Sequence, residues 1–207
     1  MASAVPAASG QGAEVARPVE NRAATRTITL HRASAIEAAR GRGLGIIRNL
    51  STQGAMVETI VPLAVDDALD LVVATGVRIP ARVRWVRDGR AGLEFERKTP
   101  LSHVLDRSGG GEAELRRRMP RLTIAQPVAI TDASGTWQGT TIDISTHGLR
   151  LACDDPLALG RVRLDLPGLP PIGARVLRRQ RTHYGCLFDR PFGMADVTAW
   201  LHEVERR

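Results

Sequence analysis

Between residues 78 and 87 the chain alternates arginines with Ile79, Ala81, Val83 and Trp85, and that period of two marks a strand with one face buried. Short apolar runs of this kind recur along the whole chain, each bounded by turn formers. In the first half they cover 27–38, 44–50, 55–59, 69–74, 78–87 and 91–96, with Gly41-Arg42-Gly43 predicted as a turn and Asp88-Gly89 as a hairpin turn. Ala35-Ile36-Glu37-Ala38-Ala39, inside the first run, would also suit a helix. In the second half the runs cover 122–130, 139–144, 149–153, 161–166, 174–181 and 184–188, with a turn at Asp132-Ala133-Ser134-Gly135. Leu101, Val104 and Leu105 have the spacing of a single helical turn. Past Pro191 the period changes: Met194, Val197, Trp200, Leu201 and Val204 fall on one face of a terminal helix. That helix is expected to close the end of a barrel, with a partner-binding face as the alternative.

The two halves repeat each other. Arg22 and Arg26 correspond to Arg117 and Arg121, because 117−22 and 121−26 are both 95. Asn49, Ser51 and Gly54 correspond to Asp143, Ser145 and Gly148 at an offset of 94, and Gly92 and Phe95 to Gly185 and Phe188 at 93. Landmarks that keep register over the whole unit indicate a duplicated domain. The same alignment makes 27–38 the counterpart of the strand at 122–130, which favours strand over helix there. The predicted fold is all-β: two tandem six-stranded antiparallel barrels and a C-terminal helix. Residues 1–20, rich in Ala, Gly, Ser and Pro, read as a disordered tail. The first domain is expected over 21–106, a Gly-rich linker over 107–114 and the second domain with its helix over 115–207.

Charge adds less than its size suggests. The net charge of +7 invites a polyanion as partner, yet 28 of the 29 basic residues are arginine and only Lys98 is lysine. Aromatic residues make up 3% and form no stacking cluster, so nucleic acid is an unlikely partner on these grounds. The Ser108-Gly109-Gly110-Gly111 stretch lacks the Gly-Lys-Ser/Thr of a phosphate loop. Cys153 and Cys186 share strand parity with apolar residues and read as core. The five histidines are dispersed without ligand spacing, so neither a metal site nor a disulfide is expected. No run approaches a membrane span and the N-terminus makes a poor signal peptide, so the expected location is cytoplasmic.

The candidate chemistry lies at 117–148. Arg117-Arg118-Met119-Pro120-Arg121 precedes the first strand of the second unit, and Asp143-Ile144-Ser145-Thr146-His147-Gly148 closes the next. Guanidinium groups present planar donor arrays to phosphates or guanine edges. Asp143 and Ser145 are two apart in a strand and so share a face, and Gly148 permits a turn or a close approach. Asp143, Ser145 and His147 resemble a hydrolase triad only superficially, since alternate residues at one bend do not form a nucleophile–base–orienter chain.

Arg-x-x-x-Arg followed by Asp/Asn-x-Ser-x-x-Gly resembles the PilZ domain family, bacterial receptors for cyclic di-GMP, and the resemblance covers nearly all of 22–207. It implies six-stranded barrels and a non-catalytic receptor without cofactor. Such a receptor is expected to relay the messenger level, through interdomain rearrangement, to an unidentified protein partner governing motility, biofilm or polysaccharide output. It implies that Arg117, Arg118 and Arg121 contact guanines and phosphates, that Asp143 and Ser145 bond a guanine edge, and that Gly148 keeps the bend compact. Arg22, Arg26, Asn49, Ser51 and Gly54 would form a weaker first-domain site, because Asn49 is neutral. An interaction module without ligand is the alternative, and behind it a basic nucleic-acid-binding protein.

Overall fold

A computed structural model of the chain describes residues 28–73, 76–105 and 119–207. Six strands form the first barrel: β1 (Ile28–Ala38), β2 (Gly41–Leu50), β3 (Gly54–Thr59), β4 (Ala68–Val73), β5 (Arg78–Arg87) and β6 (Arg90–Phe95). Neighbours run antiparallel in the order β1-β2-β3-β6-β5-β4, and β1 pairs with both β2 and β4 to shut the ring. The period-two reading of β5 holds as far as Val83: Ile79, Ala81 and Val83 point inward and Arg78, Arg82 and Arg84 outward. A bulge between Val83 and Trp85 then breaks the alternation and leaves Trp85, expected on the buried face, exposed. Its hairpin to β6 turns at Asp88 and Gly89, with φ of 50° and 70°, as a two-residue turn with both residues left-handed requires. A one-turn helix, α1 (Ser102–Leu105), follows and buries Val104.

The second barrel comprises β8 (Pro127–Thr131), β9 (Thr136–Ser145), β10 (Gly148–Ala152), β11 (Gly160–Asp165), β12 (Ile172–Gln180) and β13 (His183–Phe188). Its order β10-β13-β12-β11-β8-β9 is closed by pairing of β9 with β10, and the short β7 (Leu122–Thr123) lies on the free length of β9. The single strand expected over 122–130 is thus two. Pro127 offers no N–H and restricts Gln126 before it. Thr141 bridges the break: its hydroxyl accepts from the Gln126 N–H at 2.9 Å and donates to the Ile124 carbonyl at 2.7 Å.

The turn expected at 41–43 also moves, to residues 39–40, and Gly41 and Gly43 lie within β2. Gly43 is there for close packing: a Cβ on it would sit 2.3 Å from Thr198 Cγ2 and 2.7 Å from Val61 Cγ2. Thr198 belongs to the terminal helix, α2 (Met194–Glu205), which buries Val197, Trp200, Leu201 and Val204 in the core of the second barrel. Ala35 and Leu44 of the first barrel join that same core. The Leu44 N–H donates to Thr198 Oγ1 at 2.9 Å, His202 Nε2 meets the Arg42 carbonyl at 2.9 Å, and Arg42 pairs with Glu205. So α2 both closes its own barrel and joins it to the other. The expected tail at 1–20 and the whole of the linker at 107–114 lie outside the described residues, as does residue 74 at the end of the predicted 69–74 strand.

Candidate functional site

Strand β9 ends in Asp143-Ile144-Ser145, turns through Thr146-His147 and resumes at Gly148. Ser145 is 1% exposed; its hydroxyl donates to the Gly148 carbonyl at 3.1 Å and accepts from the His147 N–H. A Cβ on Gly148 would lie 2.1 Å from the Cys186 carbonyl oxygen. Both residues therefore shape the turn and seat it against β13.

Asp143 is different. Its side chain is 4% exposed, and burying a carboxylate is costly unless it is paired and hydrogen-bonded. Two are present. Arg121 Nη1 lies 2.6 Å from Oδ1, delivered there because β7 places Leu122 against Ile144 and Thr123 against Asp143. Arg150, directly across the ladder on β10, pairs with Oδ2. Two cations on one anion leave a net positive charge. Arg121 is about a third exposed and Arg150 more than half, so guanidinium donors not facing Asp143 remain open to a ligand.

The site extends further across the sheet. Arg150 is opposite Gly185 on β13, and Gly185 is opposite Arg178 on β12. A Cβ at Gly185 would meet only Arg178 Cβ, at 3.7 Å, so the floor between the two arginines is open. Sequence reasoning missed Arg150 and Arg178. The repeat gave no signal for them, since its offsets of 94 and 93 align them with Met56 and Trp85. Arg117 and Arg118 lie outside the described residues, as do Arg22 and Arg26.

The first barrel repeats the turn. Ser51 Oγ accepts from the N–H groups of Gln53 and Gly54 at 3.3 and 3.1 Å, and a Cβ on Gly54 would lie 2.2 Å from the Leu93 carbonyl oxygen. Its cross-strand row departs from the second barrel's at three of four places: Asn49, Met56, Gly92 and Trp85 stand for Asp143, Arg150, Gly185 and Arg178. A cleft of about 310 Å³ opens on this row, lined also by Ser51, Gly54, Arg84 and Glu94.

The two cysteines are buried and unpaired, as expected of core residues. Burial pushes the Cys186 thiol up to about 12 and raises that of Cys153. Among the described residues no group of three or more His, Cys, Asp or Glu is arranged to hold a metal, and no helix is long and apolar enough to cross a membrane.

The sequence model of the PilZ domain matches residues 20–107 and again 115–200. The chain belongs to the PilZ domain family. Among solved structures, the PilZ chain is similar to Borreliella burgdorferi PlzA in complex with c-di-GMP, at 11% identity over 86% of this chain and 92% of that one, TM-score 0.34. It is also similar to the Bacillus subtilis inhibitor of motility MotI/DgrA, at 16% identity over 87% and 97%, TM-score 0.34. A third likeness, at 21% identity over 41% and 92% with TM-score 0.30, is to the PilZ domain of CeSA from a cellulose-synthesizing bacterium. No curated protein matches the chain. The family assignment and the two closed barrels accord with the tandem fold expected from the repeat.

Proposed function

We propose that this tandem PilZ protein is a non-catalytic receptor for cyclic di-GMP, with its firmer site on the second barrel. One observation carries the reading: a buried Asp143 holding Arg121 and Arg150, with Arg178 across the open floor at Gly185. The ligand carries two phosphate charges and two guanines. Arginine suits both, pairing with phosphate oxygens and with the O6 and N7 acceptors of guanine. Asp143 acts first as the anchor that presets the two guanidinium groups, and offers a carboxylate to guanine N1 and N2 hydrogens once they shift. Arg117 and Arg118, a few residues before Arg121, add contacts from the adjoining segment. Ser145 and Gly148 keep the turn in place.

The binding event would be relayed to a protein partner through α2. The Phe192 N–H donates to the Thr146 carbonyl at 2.8 Å, tying the motif turn to the residue pair that leads into the helix. The helix in turn grips β2 through Thr198, His202 and Glu205. A ligand that adjusts the turn would thereby bias the contact between the barrels.

Calorimetric titration of the full chain with cyclic di-GMP tests the reading. Arg121→Ala, Arg150→Ala and Asp143→Ala should each weaken binding roughly ten- to a hundred-fold, the loss expected from about 1.5–3 kcal/mol per charge-assisted bond. Absence of binding by the wild type, or wild-type affinity in all three variants, would remove it.

A further inference from the structure

Where the second barrel carries Arg150 and Arg178, the first carries Met56 and an indole, Trp85. Trp85 on β5 is 42% exposed, although its indole lies down on Gly92: a Cβ there would be 1.9 Å from Nε1 and 2.4 Å from Cε2. The glycine lets the ring lie against the backbone, while the exposed part of the indole borders the cleft of about 310 Å³. Met56 and Asn49, next in the row, add a thioether and a carboxamide. Glu94 stands at the rim, paired with Arg84, which also approaches Asp66. The neighbouring cation is thus already neutralised, unlike the arginines around Asp143. A cleft with an indole wall, a soft sulfur and a neutral amide favours a flat heteroaromatic base over a phosphate.

We infer that the first barrel is a second nucleotide site in its own right, in which Trp85 stacks a guanine base. Asn49 donates to and accepts from the base edge, and the Glu94 carboxylate accepts from guanine N1–H and N2–H, donors that adenine lacks in that arrangement. This rests on reading the protein as a guanine-dinucleotide receptor, and it gives the first site, whose Asn49 is neutral, contacts of its own through Trp85 and Glu94. The two barrels then grip the same ligand differently, one by charge and one by stacking. Their responses to salt follow: binding at the first barrel is nearly insensitive, and binding at the second weakens as salt rises.

The test uses the full chain and cyclic di-GMP, read by calorimetry and by tryptophan fluorescence, with cyclic di-AMP as the control ligand. In an Arg121→Ala/Asp143→Ala background one binding event should remain, accompanied by a change in tryptophan emission. Adding Trp85→Leu should weaken that event about 5- to 150-fold, the range for loss of one base–aromatic stack. Gly92→Ala, which lifts the indole without removing it, should weaken it as well. In otherwise wild-type protein Trp85→Leu should leave the salt-sensitive event intact. Loss of all binding in the Arg121/Asp143 background overturns the proposal, as does equal affinity for cyclic di-AMP. So does unchanged or tighter binding in Trp85→Leu, which would mean that the indole merely plugs the cleft. If instead Arg121 and Asp143 prove dispensable while Trp85 is required, the second-barrel reading fails and this one stands.

Discussion

Replacing Thr198 by valine keeps the shape of a fully buried side chain and deletes one hydroxyl. That hydroxyl donates to the Met194 carbonyl one turn back at 2.8 Å and accepts from the Leu44 N–H at 2.9 Å. The Met194 carbonyl keeps its place in the helical ladder, whereas the Leu44 N–H, buried at the junction of the barrels, is left without an acceptor. An unsatisfied buried donor costs about 1–3 kcal/mol. In a protein of this size each kcal/mol lowers Tm by about 2–4 °C, so thermal unfolding of Thr198→Val should shift down by about 2–12 °C. Gly43→Ala attacks the same contact from the other side, placing a methyl 2.3 Å from Thr198 Cγ2. Because the two residues touch, the double variant should depart from the sum of the single effects by about 0.5 kcal/mol or more. Stability of Thr198→Val within about 0.3 kcal/mol of wild type, together with strict additivity, would show that the helix does not join the barrels in this way.

Gly148→Ala would press its methyl to 2.1 Å from the Cys186 carbonyl, a backbone atom that cannot swing aside, and should cost about 1–3 kcal/mol in a denaturant melt. An unaltered melt would show that the turn seats differently. Cys186 gives a pH prediction. Its thiol is raised from 9.0 to about 12, so in the folded chain it stays neutral where the unfolded chain ionises. Its contribution to stability is therefore complete below about pH 9 and declines as pH rises from there toward 12. A Cys186→Ala variant should lack this part of the alkaline decline, and an identical decline would assign it to other groups. The native protein should also resist thiol reagents at pH 8, and rapid labelling of Cys186 would contradict the burial.

How much was legible in the sequence follows from what each signal encodes. Alternation along 78–87 and the glycine-containing hairpin at Asp88-Gly89 are local properties, and β5 and β6 appear where the pattern puts them. The repeat carried the architecture, because landmarks at matched offsets specify the same barrel twice. The break at 124–126 was hidden, since it depends on Thr141 reaching the chain from another strand. Gly43 was misplaced for a similar reason: a glycine needed for helix contact and one needed for a turn look alike in sequence. The turn motif was visible, but not that Ser145 is engaged within the turn itself. Arg150 escaped notice because it belongs to no motif, and Trp85 was placed on the buried face because a bulge is invisible to alternation; cross-strand pairing puts them in the rows of Asp143 and Asn49.

The most direct measurement of the central claim is a map of backbone amide shifts in the full chain on titration with cyclic di-GMP. The account predicts that the largest changes fall on residues 121–123, 143–150 and 178–185, with a second set at 49–56, 85 and 92–94. Shifts absent at saturating ligand, or confined to other faces of the barrels, would contradict it.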